Sequence, residues 1–306
     1  MPEATILITT RNRRDDLRNA IRSALEQTAD TEVLVIDDGS TDGTADVVRA
    51  EFPQVRLHRE ELPSGYIVQR NVGAELARAP VIVSLDDDAV FTSPRTVSQT
   101  LSEAAHPRVG AVAIPFVDVH KSDEIQQRAP DDRRIWTTST YRGTAHALRR
   151  DVFLMLGGYR TSLVHQGEEQ DYSLRMLNAG MVTRLGRADP IHHLESPYRD
   201  LEGRYLRGAR NDLLHGWHNV PFPYLPVRLV KSTVYWFWIG HRDHQWRPVL
   251  RGLGHGYVDG LRQLRGRRPV TRSAYRIDHE VRRRGPLPLE DLEARLPSKR
   301  VPSARA

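Results

Sequence analysis

Cysteine is absent from the 306 residues, which removes disulfides, thiolate zinc sites and a thiol nucleophile together and leaves nothing that points to an oxidising compartment. Lysine is scarce, with only Lys121, Lys231 and Lys299, so the positive charge is almost wholly arginine. There is no run of about 18 or more apolar residues to span a bilayer. Neither a P-loop nor a G-x-S-x-G element occurs, and Gly252-x-Gly254-x-Gly256 follows no strand-like run and lacks the dinucleotide-binding spacing. The first residues, Met1-Pro2-Glu3-Ala4, lack the basic and then apolar pattern of a secretory signal. A cytoplasmic location is the expectation. No internal repeat is evident.

What is present is enough apolar material, 39% of the residues at a mean hydropathy of −0.53, for a sizeable core. The net charge of +6 conceals two halves. Residues 1–200 hold 24 Lys and Arg against 30 Asp and Glu, a net of −6, whereas residues 201–306 hold 21 against 9, a net of +12. An acidic body carries a basic tail.

Within the body, Thr5-Ile6-Leu7-Ile8, Val33-Leu34-Val35-Ile36 and Val81-Ile82-Val83 are apolar at every position, as strands covered on both faces require. Leu17, Ile21, Ala24 and Leu25 between the first two share one helix face. The pattern predicts a β-α-β-α-β-α-β unit with a mostly parallel sheet, in which ligands sit beyond the carboxyl ends of the strands. Thr9 and Arg11 follow the first run, Asp37-Asp38 the second, and Asp86-Asp87-Asp88 the third. Shorter mixed elements occupy 108–190, with a helix expected from Glu168. Arginine-rich helices follow 198, then the aromatic stretch Tyr235-Trp236-Phe237-Trp238, and residues 285–306 read as weakly ordered.

Three adjacent carboxylates at a strand end repel one another unless a cation offsets them, so Asp86-Asp87-Asp88 suits Mn²⁺ or Mg²⁺ bridged to a diphosphate; a solvated acidic turn is the bland alternative. Glu168-Glu169-x-Asp171 either complements a helix dipole or supplies a general base. His192-His193, with Glu195 nearby, could add a metal ligand.

In order and spacing these blocks, together with Arg70-Asn71-x-Gly73 and Gly157-Gly158-Tyr159, resemble family 2 glycosyltransferases over about residues 4–195. The resemblance implies a GT-A fold, a Rossmann-like, mostly parallel α/β sheet flanked by helices, here with a basic helical C-terminal extension. It implies a catalytic domain over 1–197, with a nucleotide-binding half at 1–107 and an acceptor half at 108–197. A helical, aromatic and basic extension would cover 198–265, and an Arg- and Pro-rich, partly disordered tail 266–306. Thr9, Arg11 and Asp38 would hold the nucleoside, Arg70 would approach the diphosphate, and Asp86 and Asp87 would lie at the nucleotide sugar. Asp88, Asp86 and His193 would hold the metal. Glu169 takes the family's base position, where Asp is usual, with Glu168 and Asp171 beside it. The implied reaction is inverting transfer from a nucleoside diphosphate sugar to a saccharide, lipid-linked or small-molecule acceptor.

A sugar nucleotidyltransferase is the enzymatic alternative, weakened by the absence of a lysine near the strand ends. The non-enzymatic alternative is a binding module built on the basic tail. Arg265-Gly266-Arg267-Arg268 and Arg282-Arg283-Arg284 suit phosphates, and the amphipathic aromatic content of 220–240 suits an anionic membrane surface better than nucleic acid. Peripheral attachment at the inner face of a membrane and a homodimer contact are both compatible with that segment.

Overall fold

The structure is a computed structural model that describes residues 1–194 and 200–299. The chain opens with β1 (Ala4–Thr10), α1 (Arg14–Leu25), β2 (Thr31–Asp38), α2 (Thr44–Glu51), β3 (Arg56–Glu60), α3 (Tyr66–Leu76) and β4 (Val81–Asp86). The four strands lie parallel in the order β3-β2-β1-β4. Their unbroken apolar runs have the cause expected of them. Ile6, Ile8, Val33, Val35 and Val83 enter one core with Leu17, Ile21 and Ala24 of α1, while Leu7, Leu34, Ile36 and Ile82 enter a second core on the other face with Ile67 of α3. Leu25, expected on the same α1 face, is instead exposed at the helix end.

The middle of the chain adds β5 (Ala89–Phe91), α4 (Thr96–Ala104), β6 (Val109–Ala113), β7 (Phe116–Asp118), β8 (Ile125–Gln126), β9 (Trp136–Thr138), β10 (Ala145–Arg149), α5 (Arg150–Met155), α6 (Glu168–Asn178), β11 (Val182–Leu185) and β12 (Ile191–His193). Antiparallel β10 inserts between β4 and β6 and extends the sheet. A small second sheet, β5-β12-β7-β8, stands over the carboxyl ends of the parallel strands. In it His193 lies opposite both Ala89 and Asp118.

The C-terminal region forms α7 (Leu201–Asn219), α8 (Tyr224–Arg242), α9 (Trp246–Arg262), α10 (Arg272–Arg284), β13 (Leu287–Pro288) and α11 (Leu289–Glu293). Gly252, Gly256 and Gly260 line the side of α9 that packs on α7. A Cβ at Gly252 would run into the Leu206 carbonyl oxygen, so these glycines serve close helix contact. The expectation of weak order over 285–306 fails for 285–299. Leu287 and Pro288 pair with Thr137 and Trp136 of β9, completing the nine-stranded order β13-β9-β11-β6-β10-β4-β1-β2-β3. Leu287, Leu289 and Leu292 join Ile277 and Val281 of α10 in the first core. Burying these side chains repays the ordering of a short chain end that has no periodicity of its own.

Candidate active site

The register of the parallel strands builds one wall. Thr9 on β1 pairs with Asp86 on β4, and Thr10 with Asp37 on β2, so the strand ends bring hydroxyls and carboxylates together. They open into a cleft of about 850 Å³ lined by Thr9, Arg11, Asp38, Asp86, Asp87 and Asp88 on this wall and by Glu169, His165, Arg204 and Arg207 among the residues facing it.

Asp86, Asp88 and His193 offer donor atoms that all lie within 4.8 Å of one another. The His193 ring is held between two carboxylates, Nε2 at 3.4 Å from Asp88 and Nδ1 at 2.7 Å from Asp118. Asp118 thus orients the His193 imidazole in the way a carboxylate orients a histidine able to ligate a metal. Arg13 Nη1 lies 2.6 Å from Asp88 and 3.1 Å from Asp87, and Asp87 also accepts from the Thr10 hydroxyl at 2.8 Å. Burial would raise both carboxyls. It pushes Asp87 up to about 7 against the pull of Arg13. For Asp88 the adjoining His193 and the Arg13 charge prevail and hold the carboxyl down at about 2. Two carboxylates and one imidazole, each with an oriented partner, fit Mn²⁺ well; Mg²⁺ prefers oxygen donors alone.

The opposite wall is the first turn of α6. Gly167, at a φ of 88°, turns the chain into the helix in a conformation that favours glycine. Glu169 reaches the cleft. Burial, reinforced by the Glu168 charge, pushes its carboxyl up to about 8 against the opposing effect of Arg70. Its companions do not share this position. Glu168 is fully buried and accepts a 2.6 Å hydrogen bond from the Tyr66 hydroxyl. Asp171 is also fully buried, bound by Arg160 at 3.0 Å, Arg175 at 2.8 Å and the Asn219 amide at 2.6 Å. Burial would raise the Asp171 carboxyl, yet Arg175 and Arg160 hold it lowered. Both were candidates for the catalytic group, and both instead brace the fold beneath Glu169.

Arg70 connects the two walls. Its guanidinium lies 2.6 Å from Asp86 and 3.4 Å from Glu168 and donates to the Gly143 carbonyl at 3.1 Å. Arg70 also lines the cleft, so this bridge stands at the wall where the diphosphate contact is expected. Asp38 lines the cleft while accepting from the Ser64 and Gly65 amides, at 2.7 and 2.9 Å, and from Gln69 at 2.8 Å. It fixes the loop before α3. Arg11 is exposed at the cleft, and Glu195 lies outside the described residues.

Sequence reasoning missed Tyr66, Gln69, Asp118 and Gly143. Asp118 had a legible signal, since it ends the short apolar run Phe116-Val117 as Asp86 ends the run before it. Lys121 corrects the statement that no lysine approaches the site: it lines the cleft with Nζ at 2.9 Å from Asp118.

The family model for Glycosyl transferase family 2 matches residues 5–163. Succinoglycan biosynthesis protein ExoU of Rhizobium meliloti is 33% identical over 241 residues, 70% of each chain. Validoxylamine A glucosyltransferase of Streptomyces hygroscopicus subsp. jinggangensis is 36% identical over 120 residues, but the match spans 37% of this chain and only 28% of that relative's length. Among solved structures, the mannosyltransferase PcManGT of Pyrobaculum calidifontis, in complex with GDP-Man and Mn²⁺, superposes with a TM-score of 0.58 at 21% identity, covering 84% of this chain and 75% of that one. TarS of S. aureus gives 0.62 at 16% identity and 92% coverage of both chains. The structural likenesses identify a GT-A fold, and with a family model over more than half of its length the chain belongs to glycosyl transferase family 2.

Proposed function

We propose that the protein is an inverting glycosyltransferase, moving a sugar from a nucleoside diphosphate sugar to an acceptor hydroxyl with the help of a divalent cation. The observation that carries this reading is a single cleft with Asp86, Asp88 and His193 on one wall and the raised carboxyl of Glu169 on the other. In this reading Asp88, Asp86 and His193 hold Mn²⁺ or Mg²⁺. When bound, the cation supplies positive charge against the donor diphosphate. Asp118 keeps the His193 ring turned so that Nε2 faces Asp88. Thr9, Arg11 and Asp38 meet the nucleoside, and Asp87 keeps Thr10 and Arg13 in register with the cation site.

Glu169 removes the acceptor proton as the acceptor oxygen attacks the anomeric carbon. The bond from that carbon to the diphosphate oxygen breaks on the opposite face, and the configuration inverts. Arg70 acts as a positioning residue that couples Asp86 to the acidic pair on α6. The catalytic domain is assigned to 1–197 and the extension to 198–265, and the terminal segment 266–306 returns to the catalytic domain, adding β13 to its sheet. A cytoplasmic location and a saccharide, lipid-linked or small-molecule acceptor complete the reading.

Lys121 at the cleft favours one second reading, nucleotidyl transfer, in which a lysine offsets phosphate charge. The two reactions release different products. A screen of sugar nucleotides in Mn²⁺, in Mg²⁺ and in chelator is expected to yield a nucleoside diphosphate only with the cation. Asp88→Asn should slow that release by about two to three decades with the fold intact. Release of pyrophosphate from a nucleoside triphosphate offered with a sugar 1-phosphate, or no turnover and no binding of any sugar nucleotide, would overturn the assignment.

A further inference from the structure

Helix α8 carries large apolar side chains on both its inner and its outer face. Leu225, Leu229, Trp236 and Ile239 pack inward, yet the opposite face carries Val227, Val230, Val234 and Trp238, flanked by Tyr235 and Phe237, and each of these six keeps more than half of its surface exposed. A helix of this kind normally has a partner on both sides. Helix α9 adds a second outward stripe with Trp246, Leu250, Tyr257 and Leu261. The two stripes adjoin, because the Thr233 hydroxyl lies 2.7 Å from that of Tyr257. Contiguous exposed apolar surface on this scale marks an interaction site.

Charge identifies the partner. Residues 221–271 contain nine Lys and Arg against two acidic residues, and both acids are engaged: Asp243 with Arg242 and the Tyr205 hydroxyl, Asp259 with Arg210. Lys231, Arg247, Arg262 and Arg265 stay exposed among the apolar side chains. Arg242 lies 4.8 Å over the Trp238 ring and Arg247 5.2 Å over Trp246, pairs suited to the headgroup depth of a bilayer. A second copy of the chain across a two-fold axis would set arginine against arginine with no acid between them. A nucleic acid would leave the valines without a partner. No described helix is long and apolar enough to cross a membrane, so the element would lie in the plane of the surface.

We propose that the outer face of α8 and α9 docks the protein onto an anionic lipid bilayer. The docked edge adjoins the cleft. Tyr205 bonds Asp243 at the end of α8, Glu202 pairs with Arg251 of α9, and the same first turns of α7 carry the cleft residues Arg204 and Arg207. Docking therefore sets the mouth of the cleft beside the lipid surface. This surface is independent of the proposed chemistry.

The test is co-sedimentation of the whole chain with mixed phosphatidylcholine–phosphatidylglycerol vesicles at low salt, with pure phosphatidylcholine vesicles alongside. Binding should require the anionic lipid, fall as salt rises, and weaken about tenfold in Val234→Asp, whose side chain contacts neither the cleft nor a core. Brominated lipid should quench tryptophan fluorescence, and the quenching should diminish in Trp238→Phe with Trp246→Phe. Absence of binding to anionic vesicles at low salt would overturn the proposal. So would unchanged binding in Val234→Asp, or a dimer in light scattering that Val234→Asp splits. None of these readouts needs sugar transfer, so a failed donor screen and a failed docking test are separate results.

Discussion

The acidic body and the basic helical layer use charge in opposite ways. In the body, carboxylates are drawn inward and interlocked with arginines: Arg13 with Asp87 and Asp88, Arg70 with Asp86 and Glu168, Arg160 and Arg175 with Asp171. In the layer, Arg210 and Arg228 pair with Asp259 and Asp212, but Arg242 and Arg247 stand outward over the exposed aromatics Trp238 and Trp246. Charges confined in a low-dielectric cleft shift one another and become reactive; charges spread over a surface retain ordinary chemistry and act through the field they make together. A net charge of +6 for the whole chain describes neither region.

The contrast breaks most severely at Asp171, where the regions meet, because Asn219 at the end of α7 binds the same carboxylate as Arg160 and Arg175. Asp171→Ala would leave the arginines without their counterion and free the end of α7. The expected loss is about 3–5 kcal/mol of stability, read as a lower midpoint in denaturant. A midpoint unchanged from wild type would show that the network is solvated and contributes nothing.

Glu169→Gln should cost nearly as much in barrier as Asp171→Ala costs in stability, with two to three decades lost from the transfer rate and a folded protein left behind. Because a base must be unprotonated and this carboxyl lies at about 8, the wild-type rate should climb about tenfold per pH unit towards that value and then level. Stability runs the other way. Between the ordinary glutamate value and about 8 the folded protein holds a proton that the unfolded chain has lost, so this group destabilises the fold progressively as pH rises through that window. Glu169→Gln should therefore raise Tm near the upper end of the window and leave it unchanged below the lower end. A flat rate profile across the window would remove Glu169 as the base.

Much of the body was legible because its signals are local. Each position of Ile6-Leu7-Ile8 had to face a core, and the residues just past each run had to stand at the cleft, which located Thr9, Asp38 and Asp86. What escaped depends on pairings distant in sequence. Asp118 meets His193 across two strands of three residues each, too short for any periodicity to register. Leu287-Pro288 is a two-residue strand recognisable only by the β9 edge it completes. Glu168, Glu169 and Asp171 look alike in sequence. Their helical phase sends one to the cleft and two into the interior, where Arg70 and Arg160 arrive from outside the helix and Arg175 from one turn along it.

Within the layer, Gly252→Ala sharpens the comparison. The added Cβ meets the Leu206 carbonyl, a backbone atom that cannot rotate aside, so α7 and α9 must separate at a cost of about 1–3 kcal/mol. Hydrogen exchange should quicken across α7–α9 and stay unchanged in β1, β2 and β4. Equal acceleration in both regions would show that layer and body unfold as one unit.

The smallest change expected to have a clear functional effect is at Gly143. A Cβ there would fall 2.7 Å from Glu169 Oε1 and 2.9 Å from Arg70 Nη1. Both atoms are the far ends of flexible side chains, so the fold can absorb Gly143→Ala with Tm moved by no more than about two degrees. In the proposed reaction the chemistry has less freedom, since moving the Glu169 carboxylate by even part of an ångström would misplace it relative to the attacking hydroxyl. The rate kcat should fall about tenfold, equivalent to about 1.4 kcal/mol of barrier, while donor binding at the opposite wall persists. A fall in Tm that matches the fall in rate would instead place Gly143 among the packing residues, and the bridge from Asp86 through Arg70 to the acidic pair would then be a feature of folding alone.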